Sequence, residues 1–196
     1  MSTEFMNLGH LLRLARETVT NPRAGAATIL GLHLSVQALR IAFGLVVVLS
    51  MLLGELVVLI TPPPPEGALN VSPVTMGLVQ AAFLFVIAHA ITLIGRWFGG
   101  TGSFEGALAL IIWLQFIFLC VQVVQLLAML VIPPVAGLIT ILAMGLFFWL
   151  LVNFIAALHS FTSLGMIFVA TILTAFGIIF ALSLILTLLG IGFGTV

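Results

Sequence analysis

After residue 40 the chain alternates long apolar runs with short polar or proline-rich breaks. Five runs, about 41 to 60, 76 to 95, 106 to 132, 135 to 158 and 164 to 190, are almost free of charge. A helix needs about 20 apolar residues to cross a hydrocarbon core about 30 Å thick, so each run is long enough to span. The first break, Thr61 to Thr75, holds Pro62 to Pro65, Glu66, Gly67, Asn70 and Pro73. Polyproline cannot continue a helix, because it lacks N–H donors and fixes its backbone angle. Arg96 to Glu105 is polar and glycine-rich, and His159 to Ser163 reads as a short turn. Only Pro133-Pro134 divides the third run from the fourth, which predicts a tight antiparallel hairpin. Asn70-Val71-Ser72 has the form of a glycosylation acceptor but, with Pro73 directly after it, reads as a chance match.

Residues 1 to 40 follow another pattern. Phe5, Leu8, Leu11, Leu12, Ala15 and Val19 recur at helical spacing opposite Glu4, Asn7, Arg13 and Arg16, which describes an amphipathic helix. Its length and basic face suit the membrane surface, and equally suit packing on the protein's own polar end. Asn21-Pro22 then supplies a cap and a first-turn proline for a second short helix through Leu32. No secretory signal is expected here, because the first 15 residues hold no uninterrupted apolar stretch.

Composition narrows the class further. Hydrophobic residues make up 63% of the 196 positions and charged ones 5%, with a formal net charge of zero and a mean hydropathy of +1.45. A soluble domain is ordinarily about 25% charged, and a disordered chain is poor in apolar residues, so both are excluded. The expected fold is all-α: a polytopic bundle of five transmembrane helices (residues 41–190) preceded by an amphipathic, interfacial region (1–40). Every cation is an arginine, four of them before the first run (Arg13, Arg16, Arg23, Arg40) and the fifth at Arg96. The positive-inside rule then places the amino terminus and the 96–105 loop in the cytoplasm and the carboxyl terminus opposite. Trp97, beside Arg96, stands where an interfacial aromatic anchor belongs. The single Cys120 cannot form an intramolecular disulfide. The neutral balance, without a lysine cluster, argues against a nucleic acid partner.

Ionisable groups inside a bilayer cost about 3 kcal/mol at a helix centre on insertion scales, so each needs an explanation. Glu55 and His89 are the two here. At about 1.5 Å per residue they lie roughly 21 Å and 9 Å from the arginine side, too far apart in depth to be partners. Glu55 is close enough to the far interface to reach water or take up a proton. His89 reads as a neutral imidazole bonded to a neighbouring helix. Gln115, Gln122 and Gln125 share an arc of about 80° on the third span, and Gln80 and Asn153 add amides on the second and fourth. Such a stripe faces protein, either as interhelical hydrogen bonds or as a polar pathway. Ala170, Thr174, Gly177 and Ala181 form a small-residue seam suited to close packing within the chain or between copies.

Catalytic templates fail on inventory. Without aspartate there is no aspartyl dyad. There is no His-Glu-x-x-His, no Gly-x-Ser-x-Gly and no lysine for a phosphate loop, so no enzyme activity, cofactor or metal is expected. Gly99, Gly100 and Gly102 are better explained by a sharp surface turn, with Ser103 capping the third span and Glu105 in its first turn, where the helix dipole favours an anion.

The loop Arg96-Trp97-Phe98-Gly99-Gly100-Thr101-Gly102-Ser103-Phe104-Glu105-Gly106, entering a long third span, resembles the Gly-Gly-x-Gly-Ser-aromatic junction of the Yip family, membrane proteins named for interaction with Ypt/Rab GTPases. The five spans, the short third turn and Asn21-Pro22-Arg23 ahead of span one extend the resemblance over most of the chain. For eukaryotic relatives it implies vesicle traffic, membrane shaping and Rab recruitment. For bacterial ones it implies a membrane protein of unsettled activity. The long polar amino-terminal region of the eukaryotic branch is missing, and Gln115 and Phe116 stand where a tyrosine and a proline are often found. The resemblance is therefore to the bacterial branch, in an inner membrane, where a Rab-type GTPase is not the expected partner.

Two functions follow as expectations. The first is a non-enzymatic organiser of membrane or partners, acting on lipids, other membrane proteins or further copies of itself. The second is a small transporter, channel or lipid scramblase that uses Glu55, His89 and the glutamines.

Overall fold

The computed structural model describes residues 7–61 and 72–188, and the seven elements found there are all α-helices. They are α1 (Leu8–Thr20), α2 (Pro22–Gly31), α3 (Val36–Ile60), α4 (Pro73–Trp97), α5 (Phe104–Val131), α6 (Pro133–His159) and α7 (Leu164–Leu188). Helices α3 to α7 are long and apolar enough to cross a membrane and coincide with the five apolar runs. Glu4, Phe5, Glu66, Asn70, Val71 and the last two residues of the expected fifth span lie outside the described residues.

Capping chemistry moves several boundaries. Ser35 and Ser72 sit in extended backbone and accept hydrogen bonds from Ala38 N–H and Thr75 N–H, both at 3.2 Å, so α3 and α4 begin before their apolar runs do. Arg40 thus lies within α3, where its long stem can carry the charge toward the headgroups. The proline pair does not form the third gap. Pro133 and Pro134 occupy the first turn of α6, where a missing N–H costs nothing, and Ile132 alone separates α5 from α6. The hairpin is as tight as expected, with Ile132 N–H bonded to the Ala128 carbonyl at 2.7 Å.

Helix α5 is the axis of the bundle: 56% of its apolar stretch is buried, against 6% for α7. Helices α3, α4 and α6 surround it, and α7 leans on α6 through Val152, Ala156 and Ile167. The amino-terminal helices join the same core, since Leu14, Ala15, Ala26 and Ile29 are buried together with Leu110, Ile111, Leu150 and Phe154. Helix α1 thus packs on its own bundle, one of the two placements open to it. The buried face runs through Leu11, Leu14, Ala15 and Thr18, leaving Leu8 and Leu12 exposed.

Thr18 fastens this arrangement. It is fully buried and so close to Gly25 that any side chain there would overlap it, which holds α1 against α2. Trp113 of α5 donates its indole N–H to Thr18 Oγ1 at 3.2 Å, and Trp149 of α6 donates to the Val19 carbonyl at 3.4 Å. A 480 Å³ wedge remains beneath α1, with Leu12, Ala15 and Arg16 on one wall and Cys120, Val124 and Leu142 on the other.

The small-residue seam of α7 packs on no helix along its length. Ala170 and Thr174 border an open slot, a Cβ at Gly177 would meet nothing within 4 Å, and Ala181 is exposed. Helix α7 is buried against α6 at Ile167, and among the described residues no helix packs closely on the seam.

Candidate functional site

The glycine-rich loop is built residue by residue for one joint. Helix α4 ends in a left-handed turn at Gly99 (φ +82°), with Gly99 N–H bonded to the Arg96 carbonyl at 3.0 Å and Gly100 N–H to the Gly95 carbonyl at 2.9 Å. Gly99 is there for its backbone angle, because a Cβ on it would meet nothing within 4 Å. Gly95, Gly100 and Gly102 are there for space. The ring of His159, at the end of α6, fills the hollow they leave, and a Cβ at Gly95 or Gly100 would overlap it. A Cβ at Gly102 would lie 2.6 Å from Leu158 Cγ and 2.7 Å from His159 Cε1.

His159 is 3% exposed and both ring nitrogens are engaged. Gly102 N–H donates to Nδ1 at 3.1 Å, and Nε2 lies 3.1 Å from the Ile91 carbonyl. A backbone N–H can only donate and a carbonyl only accept, so this network assigns the neutral ring with its proton on Nε2. Phe161 stacks on the ring at 5.4 Å. Arg96 Nε donates to the Gly102 carbonyl at 3.2 Å and closes the loop. Ser103 caps α5 through Gly106 N–H at 3.0 Å, with Glu105 exposed in the first turn. The loop therefore locks the α4–α5 connection to the end of α6.

Beside it, a 440 Å³ recess opens between the end of α2 and the loop. Leu30, His33 and Leu34 face Thr101, Ser103 and Glu105 across it. His33 has a left-handed backbone (φ 45°), and its Nδ1 lies 2.8 Å from the Gly31 carbonyl.

The glutamines of α5 do not share one environment. Gln115 donates to Ser50 Oγ of α3 at 2.8 Å. Gln125 donates to Thr140 Oγ1 of α6 at 2.7 Å. These are ties between neighbouring helices on two sides of α5. Gln122 Oε1 is buried without a partner among the described residues. Asn153 is turned back to its own helix, donating to the Trp149 carbonyl at 2.8 Å. Glu55 and Gln80 are half-buried and hydrogen-bond to no other described residue. The wedge, the recess and the slot have no glutamine in their walls.

His89 departs from the expectation. Its Nδ1 lies 3.1 Å from the Phe85 carbonyl, so its hydrogen bond is to its own helix and not to a neighbouring one. The ring meets α5 at Phe104, with the ring centroids 4.3 Å apart and the planes tilted by 44°. His159, Thr18 and Trp113 were not singled out by sequence. Three glycines so close together, more than a turn requires, were the signal that a bulky group occupies the loop.

Comparison with curated proteins returns no match, and comparison with solved structures returns none either. The family model described as the Yip1 domain matches residues 16–185, from within α1 through the glycine loop and into α7, and the chain belongs to the Yip family.

Proposed function

We propose that this integral membrane protein is a non-enzymatic organiser of a bacterial inner membrane, with its amino terminus in the cytoplasm and its carboxyl terminus opposite. It gathers anionic lipids and membrane-protein partners on an arginine-bearing surface. One observation carries this reading: the α1–α2 hairpin is bonded to α5 and α6 through Trp113 and Trp149, so its cations are presented by a fixed support. Arg13, Arg16, Arg23, Arg40 and Arg96 are all exposed, while Glu17 and Glu105 are the exposed acids on the same elements. A basic surface near anionic headgroups gains about 1 kcal/mol per arginine, which suffices for recruitment without chemistry. The pairing of Gln115 and Gln125 across helix contacts favours this reading over a transport path.

Deleting the hairpin would remove core residues, so charge is the better lever. The full chain carrying Arg13→Gln, Arg16→Gln and Arg40→Gln should keep its melting temperature but lose crosslinked partners and anionic lipids in native membranes. An unchanged set of partners and lipids would overturn the proposal.

A further inference from the structure

We propose that the slot between α4, α6 and α7 holds one acyl chain of an anionic phospholipid, whose phosphate meets Arg23 and Arg96 at the slot's mouth. The inference deepens the membrane-organising reading and rests on it for the class of ligand. Apart from Thr171 and Thr174, every residue in the wall is apolar, so water would find almost no partners there. The wall runs along α4 from Phe83 to Phe98, fifteen residues or about 22 Å at about 1.5 Å each. That is the depth of one leaflet, half of a bilayer about 40–45 Å thick with its headgroups. The slot thus starts at the arginine-bearing end and stops near the midplane.

Width decides between a lipid and a helix. The cavity holds 210 Å³, about a tenth of the volume of a 22 Å length of helix about 10–12 Å across. A second copy's helix, about 10–12 Å across with its side chains, does not fit without prising α7 away. A single hydrocarbon chain does. Ala170 and Thr174 keep this wall low, which gives the small-residue seam of α7 a use that helix packing does not.

The mouth carries the charge complementarity. Phe161 belongs to the wall, and Arg23 Nη2 donates to its carbonyl at 3.4 Å, which brings an exposed guanidinium to the opening. Gly95 and Phe98 belong to the wall on the other side, and Arg96 lies between them in sequence. Among the described residues neither arginine has an ion pair, and each has donors to spare beyond its single carbonyl. No acidic residue lines the slot.

The test uses the full chain, delipidated in mild detergent and titrated with dioleoyl phosphatidylglycerol or dioleoyl phosphatidylcholine, with bound lipid counted by native mass spectrometry. One phosphatidylglycerol per chain should be retained in preference to phosphatidylcholine. Arg23→Gln and Arg96→Gln should each weaken phosphatidylglycerol binding about fivefold and leave phosphatidylcholine unchanged. Ala170→Phe with Thr174→Phe should abolish retention of both lipids. Should that variant fail to fold, the two exposed arginine variants decide the matter alone. Equal retention of the two lipids, binding that survives filling the slot, or a dimer that excludes lipid would each overturn the proposal. Arg13, Arg16 and Arg40 are intact in all these variants, so failure here is separable from failure of the wider reading.

Discussion

Replacing Gly100 with alanine puts a methyl group where the His159 ring lies. The ring must move, which strips Gly102 N–H of its acceptor. A buried N–H left unpaired costs about 1–3 kcal/mol, and overpacking costs a further 1–3 kcal/mol, so a loss of about 3 kcal/mol is expected. Its neighbour supplies the control. Gly99→Ala meets no atom within 4 Å and suffers only the left-handed backbone, about 1–2 kcal/mol. At about 2–4 °C per kcal/mol for a chain of this size, Gly100→Ala should lower the melting temperature by roughly 6–12 °C, clearly more than Gly99→Ala. The two can be followed by tryptophan fluorescence in detergent. In a His159→Gly background the whole side chain is gone, including the Cβ 2.7 Å from the added methyl, and adding Gly100→Ala should cost less than about 0.5 kcal/mol. A Gly100→Ala penalty that persists undiminished in that background would refute the keyed joint.

Two glutamines on one helix should respond with opposite sign. Gln115→Leu removes the tie to Ser50 and should cost about 0.6 kcal/mol, whereas Gln122→Leu removes a buried, unpartnered oxygen and should leave stability unchanged or raised. In liposomes neither Gln122→Leu nor Glu55→Gln should alter permeability, and a flux present in the unaltered chain but lost in either variant would instead establish transport. Thr18→Val keeps the shape of the side chain but leaves the Trp113 indole N–H without its acceptor, which should cost about 1–3 kcal/mol in thermal unfolding. For topology, Cys120→Ser chains carrying Thr75→Cys or Thr101→Cys should label from opposite faces of sealed membranes, Thr101→Cys from the cytoplasmic one, and labelling of both from one face would refute the proposed threading.

Lipid demands long, uncharged, fully hydrogen-bonded helices, so the five spans were plain in composition alone. Their ends were less so. A hydropathy pattern stops at the last apolar residue, but Ser35 and Ser72 allow a helix to start in polar sequence, and Pro133, expected as a gap residue, belongs to a helix. The glutamines fall within an arc of about 80° on α5, yet a central helix meets more than one neighbour across such an arc. Ten residues along, Gln125 faces α6 where Gln115 faced α3. His159 was invisible for a different reason. Its partner Gly102 is 57 positions away, and a lone histidine beside a Ser-Phe-Thr turn has no spacing that points to it. The glycines read as a turn from their own neighbourhood, and only their excess over what a turn requires points to a socket.

The two tryptophan contacts also bear on the order of assembly. Thr18 leaves the ribosome 95 residues before Trp113, and Val19 leaves 130 residues before Trp149. At about 5–20 residues per second, the first two helices wait roughly 5 to 25 seconds for the segments that will receive them. Until then their apolar side has only lipid headgroups and acyl chains to rest on. A sequence with one greasy and one arginine-bearing side can park at that boundary without inserting or aggregating. The amphipathic pattern of α1 thus suits the interval before the bundle exists as well as the finished bundle.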